Sequence, residues 1–189
     1  GILTKRGAKV VWKHKTWVCT NSADLGRVKY PLHEAEAIGE LEFVDAPEVD
    51  PEMIVDWIAE QMKTYSIQMT CLDDYRFSLL KNALAKLGIT YENKNIKLVR
   101  PSDKIKVEPI IDSGFRNHNI VYGNSSLMRW YTNNTKKVKS KKYGNYEYQK
   151  IEARSRKTDG FFAFVAAMTQ AELIPDQQQR SDILPLYKF

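Results

Sequence analysis

Apolar and polar residues alternate at the start of the chain, then settle into a period near 3.6 interrupted by short apolar runs. Residues 1–4 and 10–20 alternate and predict the two strands of a hairpin. The turn falls at Lys5-Arg6-Gly7, and the second strand carries Val10, Trp12, Trp17 and Cys19. Residues 21–29 are polar and turn-like. Residues 31–38 suit a short helix with Pro31 at its first position and Gly39 just past its end. A short strand at 41–44 and a loop at 45–51 follow. The period then predicts a helix over 53–65, with Ile54, Trp57, Ile58, Met62 and Tyr65 on one face. The apolar run 67–72 reads as a strand ending in Asp73-Asp74. A helix over 75–87 turns Leu80, Ala83, Leu84 and Leu87 inward and stops at Gly88. Further elements are a strand at 96–99, a helix at 104–113, a strand at 119–122 and a helix at 125–134. Gly144-Asn145 signals a hairpin over 135–151.

The last element differs from the rest. From Arg154 to Asp159 the chain is polar and basic. From Gly160 to Met168 it is apolar on every side, with Phe161, Phe162, Phe164, Val165 and Met168 among alanines. A helix without a polar face is buried all round. Asp159 stands at its start, where a carboxylate can cap free amides and gains from the helix dipole. The same residue, beside Arg154, Arg156 and Lys157, also suits a cation-binding carboxylate next to phosphate-binding bases.

Helices alternating with buried strands predict an α/β chain: a mixed sheet covered on both faces. Sites in such sheets form beyond the carboxyl ends of strands. Asp73 and Asp74 occupy such an end, and they also suit a turn and helix cap. Asp73 and Asp159 lie far apart in sequence. Brought together, they suit divalent ions such as Mg²⁺ or Mn²⁺, which prefer carboxylate oxygens and share phosphate oxygens. Two ions about 4 Å apart can activate a water and stabilise the leaving oxygen of a phosphodiester. Such a pair needs three or more acids. Asp74 is a possible helper, although its side chain should point away from that of Asp73.

Composition narrows the partners. The 189 residues, 43% hydrophobic and 28% charged, suit one domain with a substantial core. The net charge of +6 and a pI near 9.2 favour polyanions. The charge concentrates in the 135–151 hairpin, where Lys136, Lys137, Lys139, Lys141 and Lys142 interleave with Tyr143, Tyr146 and Tyr148. That pattern is either a solvated ribbon or a finger following a nucleic-acid backbone. Cys19 and Cys71 read as reduced thiols of an intracellular protein. His14, His33 and His118 are too scattered for a zinc site, and no Walker-type loop is present. The longest apolar run is too short to span a bilayer. Residues 176–189 read as a tail. The chain begins at Gly1 and enters a strand at once, so a fragment of a longer protein is expected.

Four stretches carry a resemblance across nearly the whole chain. They are Trp12-Lys-His14-Lys-Thr-Trp17-Val-Cys19, Leu72-Asp73-Asp74-Tyr75-Arg76, Met128-Arg-Trp130-Tyr-Thr-Asn133-Asn134 and Arg156-Lys157-Thr158-Asp159-Gly160-Phe161-Phe-Ala163. The chain resembles the C-terminal nuclease domain of the large terminase subunit of tailed bacteriophages. The resemblance implies a ribonuclease H-like fold and metal-dependent cutting of concatemeric double-stranded viral DNA during packaging. It implies Asp73 as the acid of the central strand and Asp159 as the acid opening the last core helix. The family's remaining acid lies on a first strand ahead of the hairpin, and no residue here matches it. Its ATPase motor domain is absent too. The terminase small subunit and the portal are implied partners, and the host cell cytoplasm the implied location. Two other readings stay open: a non-catalytic nucleic-acid-binding module of the same fold, and a resolvase- or transposase-like nuclease.

Overall fold

A computed structural model of the chain describes residues 1–74, 77–141, 144–152 and 154–175. Strands β1 (Ile2–Arg6) and β2 (Lys9–Lys13) form the expected antiparallel hairpin, pairing Ile2 with Lys13 and Arg6 with Lys9. Lys5 and Arg6, expected in the turn, extend β1, so the turn starts two residues later than expected, at Gly7. Gly7 makes it at φ +58°, a conformation that costs glycine little.

The expected strand over 10–20 is two strands. After Lys13 the chain leaves the sheet, and the His14 ring reaches Thr16 Oγ1 and Ser125 Oγ, each at 3.1 Å. Strand β3 (Trp17–Cys19) then pairs in parallel with β4 (Glu42–Val44). Between them lies helix α1 (Leu32–Ala37), followed by Gly39 at φ +77°.

Helix α2 (Pro51–Met62) begins two residues before the apolar period does. Pro51 sits at its first position, and the Asp50 carboxylate accepts from the Glu52 amide at 2.9 Å. Val55 and Ile58 are its buried residues, whereas Met62, expected inward, is 42% exposed. Strand β5 (Thr70–Asp73), helix α3 (Phe77–Ala85) and strand β6 (Ile96–Val99) follow, with β5 parallel to β6 and Asp73 opposite Val99. Helix α4 (Pro101–Arg116) starts at once, runs through Pro109 and exceeds its expected length at both ends. Strand β7 (Ile120–Val121) returns in parallel to β2. Helix α5 (Ser126–Asn133) is capped by Ser125, whose hydroxyl accepts from the Met128 amide at 3.0 Å. Strands β8 (Thr135–Lys139) and β9 (Tyr146–Lys150) form the basic hairpin. Helix α6 (Asp159–Met168) comes last, before a short 3-10 turn.

The architecture is α/β, with parallel and antiparallel pairs. Instead of one continuous sheet, the described residues form the group β1-β2-β7 and the pairs β3-β4, β5-β6 and β8-β9. Helix α6 joins these groups. Phe161, Phe164, Val165 and Met168 fill the larger core with Trp12, Ile111, Leu127 and Met128. A second core lies between α2, α3 and β6 around Val55, Leu84 and Ile96. Helix α6 is not buried all round: Ala163 is exposed and, with Ala167, faces a groove of about 380 Å³ that β1 and β5 also line.

Both strands are unpaired on a second edge among the described residues. The Val10 amide donates to Asn119 O, so Lys5 opposite it points its own amide away from β2, as does Leu3. The Thr70 amide donates to Asn95 O, so that of Cys71 points away from β6. Leu3, Lys5 and Cys71 all line the groove. No helix among the described residues is long and apolar enough to cross a membrane. Residues 176–189, read as a tail, lie outside the described residues, as does Lys142.

Candidate functional site

Asp73 ends β5 as an exposed carboxylate, its side chain 65% accessible. Its Oδ2 accepts from Lys104 Nζ at 3.1 Å. The contact follows from the connection: β6 lies beside β5, α4 begins directly after β6, and Lys104 sits in the first turn of α4. The same ammonium lies 5.8 Å from the centre of the Phe162 ring, in the first turn of α6. Asp73 therefore stands beside the beginning of α6, the helix that Asp159 opens. Asp74 is exposed in the turn that follows the strand.

Asp159 is the first residue of α6, and Thr158 holds the capping position. No side-chain cap bond forms there, so the capping role expected for Asp159 is not the one it plays. The Asp159 carboxylate is exposed and makes no hydrogen bond or ion pair among the described residues. The Thr158 side chain is fully buried, and its hydroxyl has no partner among those residues. The charge of Asp159 acts on Tyr131, on α5. Burial pushes that phenol up to about 12, and the Asp159 charge adds to the shift. Gly160 explains the closeness. A Cβ there would lie 2.5 Å from Tyr131 Cδ2 and 3.0 Å from Met128 Sδ, so glycine lets α6 pack directly on α5.

The residues present do not by themselves fit a divalent ion. Asp73 faces a lysine ammonium, and no group of three or more His, Cys, Asp or Glu able to hold a metal occurs among the described residues. Mg²⁺ and Mn²⁺ need more oxygen ligands than two separated carboxylates supply.

The basic residues divide into two sets. Lys136, Lys139, Lys141, Arg154 and Arg156 are exposed. Lys137 is committed elsewhere. Its ammonium lies 2.7 Å from Glu108 Oε1 and 3.2 Å from Asp112 Oδ1, both on α4, and 5.1 Å from the centre of the Tyr146 ring. These acids hold the Lys137 ammonium protonated to higher pH than usual, Glu108 contributing most. Tyr148, opposite Lys137 across the hairpin, packs edge-on against Phe161 at 5.0 Å. The hairpin thus lies against α4 and α6. Lys157 is also engaged, with Asp24 Oδ2 at 3.1 Å. Glu152 is half-buried and accepts from the amides of Arg154 and Ser155 and from the Ser155 hydroxyl, which shapes the loop that carries Arg154 and Arg156 toward α6.

Sequence reasoning missed two groups. Lys104 carried no signal beyond a charge inside an amphipathic helix. Glu40 falls between the expected helix and strand and carried no signal, yet its carboxylate accepts from the amides of Ser126 and Leu127 at 2.6 and 2.9 Å and from the Ser126 hydroxyl at 2.7 Å. It caps α5 from 86 residues away and holds the helix on which α6 rests.

No family model matches the chain, and no curated protein matches it either. Among solved structures, the crystal structure of the HK97 bacteriophage large terminase matches with a TM-score of 0.68 at 18% identity. The match covers 82% of this chain and 32% of that one, so the chain spans about a third of the terminase's length. The chain thus has the fold of part of a phage large terminase.

Proposed function

We propose that this chain is the nuclease unit of a phage-type large terminase, acting on double-stranded DNA during packaging. The observation that carries the reading is the fold match to a large terminase, with Asp73 lying beside the first turn of the helix that Asp159 opens. Asp73 and Asp159 would be two acids of the cutting site. Lys136, Lys139, Lys141, Arg154 and Arg156, with Lys142, would follow the phosphate backbone.

The finer fold belongs to the same proposal. A ribonuclease H-like sheet would be continuous if a further strand entered the groove between β1 and β5. The outward amides of Leu3, Lys5 and Cys71 support that place for it. There the resemblance implies the family's first-strand acid, and only a site so completed would hold the two Mg²⁺ or Mn²⁺ ions that the family uses. The terminase small subunit and the portal are the corresponding partners.

Nicking of supercoiled plasmid in Mn²⁺ by a longer chain containing such a strand tests this. Asp73→Ala and Asp159→Ala should each reduce nicking by about a hundredfold or more while leaving the circular dichroism spectrum unchanged. Cutting by either variant at the wild-type rate would remove that acid from the site.

A second reading is a DNA-binding module without chemistry. The lysine seated on Asp73 favours it, and tight duplex binding with no cutting in the longer chain would establish it.

A further inference from the structure

Two stretches remote in sequence lie side by side ahead of α6. Lys157 Nζ meets Asp24 Oδ2 at 3.1 Å, and the Lys29 amide donates to Ser155 O at 3.1 Å. These contacts clip residues 24–29 to residues 155–157. Between the clips the chain makes a single 3-10 turn (Leu25–Arg27). Just beyond them Tyr30 fixes the stretch to α5. Its hydroxyl lies 2.7 Å from Ser126 Oγ, and its ring 4.8 Å from that of Trp130. The backbone is thus held in place before a ligand arrives, which lowers the ordering cost of binding.

Residues 24–29 and 152–157 carry five bases, Arg27, Lys29, Arg154, Arg156 and Lys157, against two acids, Asp24 and Glu152. Both acids are engaged within the protein. Asp24 pairs with Lys157 and with Arg27, the latter at 3.2 Å, and Glu152 accepts from the amides of Arg154 and Ser155. Ser155 is turned inward, 9% exposed, so Arg154 and Arg156 stand out on either side of it. Lys29 is exposed as well, and its charge reaches Glu152. The side chains of Lys29, Arg154 and Arg156 make no hydrogen bond or ion pair among the described residues. Cations crowded on a fixed backbone repel one another, and a polyanion relieves that repulsion.

We propose that Arg27 and Lys29 join Arg154 and Arg156 in a phosphate-binding platform, a second place besides the basic hairpin where a DNA duplex is gripped by its backbone. The choice of DNA as the polyanion rests on the nuclease reading, to which the platform adds residues 27 and 29. Such contacts position a duplex without reading its sequence. The platform runs within two residues into Asp159, which opens α6, so a strand seated on it is led toward that carboxylate.

Fluorescence anisotropy of this chain with a short DNA duplex, over a range of salt, tests the platform. Arg27→Gln with Lys29→Gln should weaken binding about fivefold or more and reduce the slope of log K against log salt by about 1–2. Arg27→Lys with Lys29→Arg should keep both wild-type values. Lys81→Gln with Lys94→Asn removes the same charge from exposed positions on and after α3, and should leave the slope nearly unchanged. A second measurement needs no variant. Adding duplex to wild type should shift the amide resonances of residues 24–29 together with those of 154–157. Wild-type affinity and slope in the Arg27→Gln, Lys29→Gln chain, an equal effect of the Lys81, Lys94 pair, or amides of 24–29 unmoved by duplex would overturn the inference. The plasmid assay on the longer chain reads the nuclease proposal separately. A chain that grips duplex through Arg27 and Lys29 yet never cuts it would sink that proposal and leave the platform standing.

Discussion

At the level of single residues, two side chains carry more of the fold than their chemistry suggests. Gly160 sits where any Cβ would enter the Tyr131 ring. Gly160→Ala should therefore force α6 away from α5 and lower stability by about 1–3 kcal/mol, the usual cost of overpacking. Urea unfolding followed by circular dichroism measures this, and an unchanged midpoint would mean that the two helices part without cost.

His14 is the second. Burial lowers its ring to about 4 from an ordinary value of 6.5. Between those values the unfolded chain holds a proton that the folded chain refuses, so stability falls as pH drops from about 6.5 toward 4. The loss is on the order of 2 kcal/mol. The urea midpoint of wild type should fall across that window more than that of His14→Gln. Parallel curves for the two proteins would show that the ring is not kept neutral.

At the level of elements, the basic hairpin is attached rather than free. The Lys137 ammonium meets Glu108, a carboxylate 3% exposed, in an ion pair rather than a well-aligned hydrogen bond. Removing the lysine leaves that acid buried with its charge uncompensated. Lys137→Met should cost about 1–3 kcal/mol and speed amide exchange across residues 135–150, with the α6 core unchanged. Exchange rates in the hairpin equal to wild type would show that packing of Tyr148 on Phe161 is enough to hold it. The hairpin was legible in the alternation of its flanks and in Gly144, which does take a positive φ of +73°. The commitment of Lys137 was not legible. Its partners lie on α4, some 25 to 29 residues earlier, and five lysines in one ribbon look alike in sequence.

At the level of the whole molecule, the net charge of +6 is unevenly useful. Lys137 and Lys157 are bound to acids, whereas Lys136, Lys139 and Lys141 face solvent. Neutralising Lys139, Lys141 and Lys142 together should weaken binding to a short DNA duplex and reduce the slope of log K against log salt by about 2–3. Fluorescence anisotropy over a range of salt concentrations reads both effects. An unchanged slope would show that these lysines do not meet DNA phosphates.

The sequence by itself determined the helices and most strands, because each is specified by local pattern. Strand β6 spans the residues its apolar run marks. Ser125 caps α5, Gly39 lies just past α1, and the apolar run after Asp159 is the central helix. Asp73 and Asp159 could be named for the same reason, since each stands where an element begins or ends.

What surrounds those acids was decided only in three dimensions. The break after Lys13 depends on Ser125, far along the chain. The division into separate strand groups depends on which edges find partners, and sequence period does not encode that choice. Lys104 meets Asp73 because a parallel strand pair delivers the start of α4 to that rim. Such contacts join residues remote in sequence through backbone geometry, and no local rule of spacing records them.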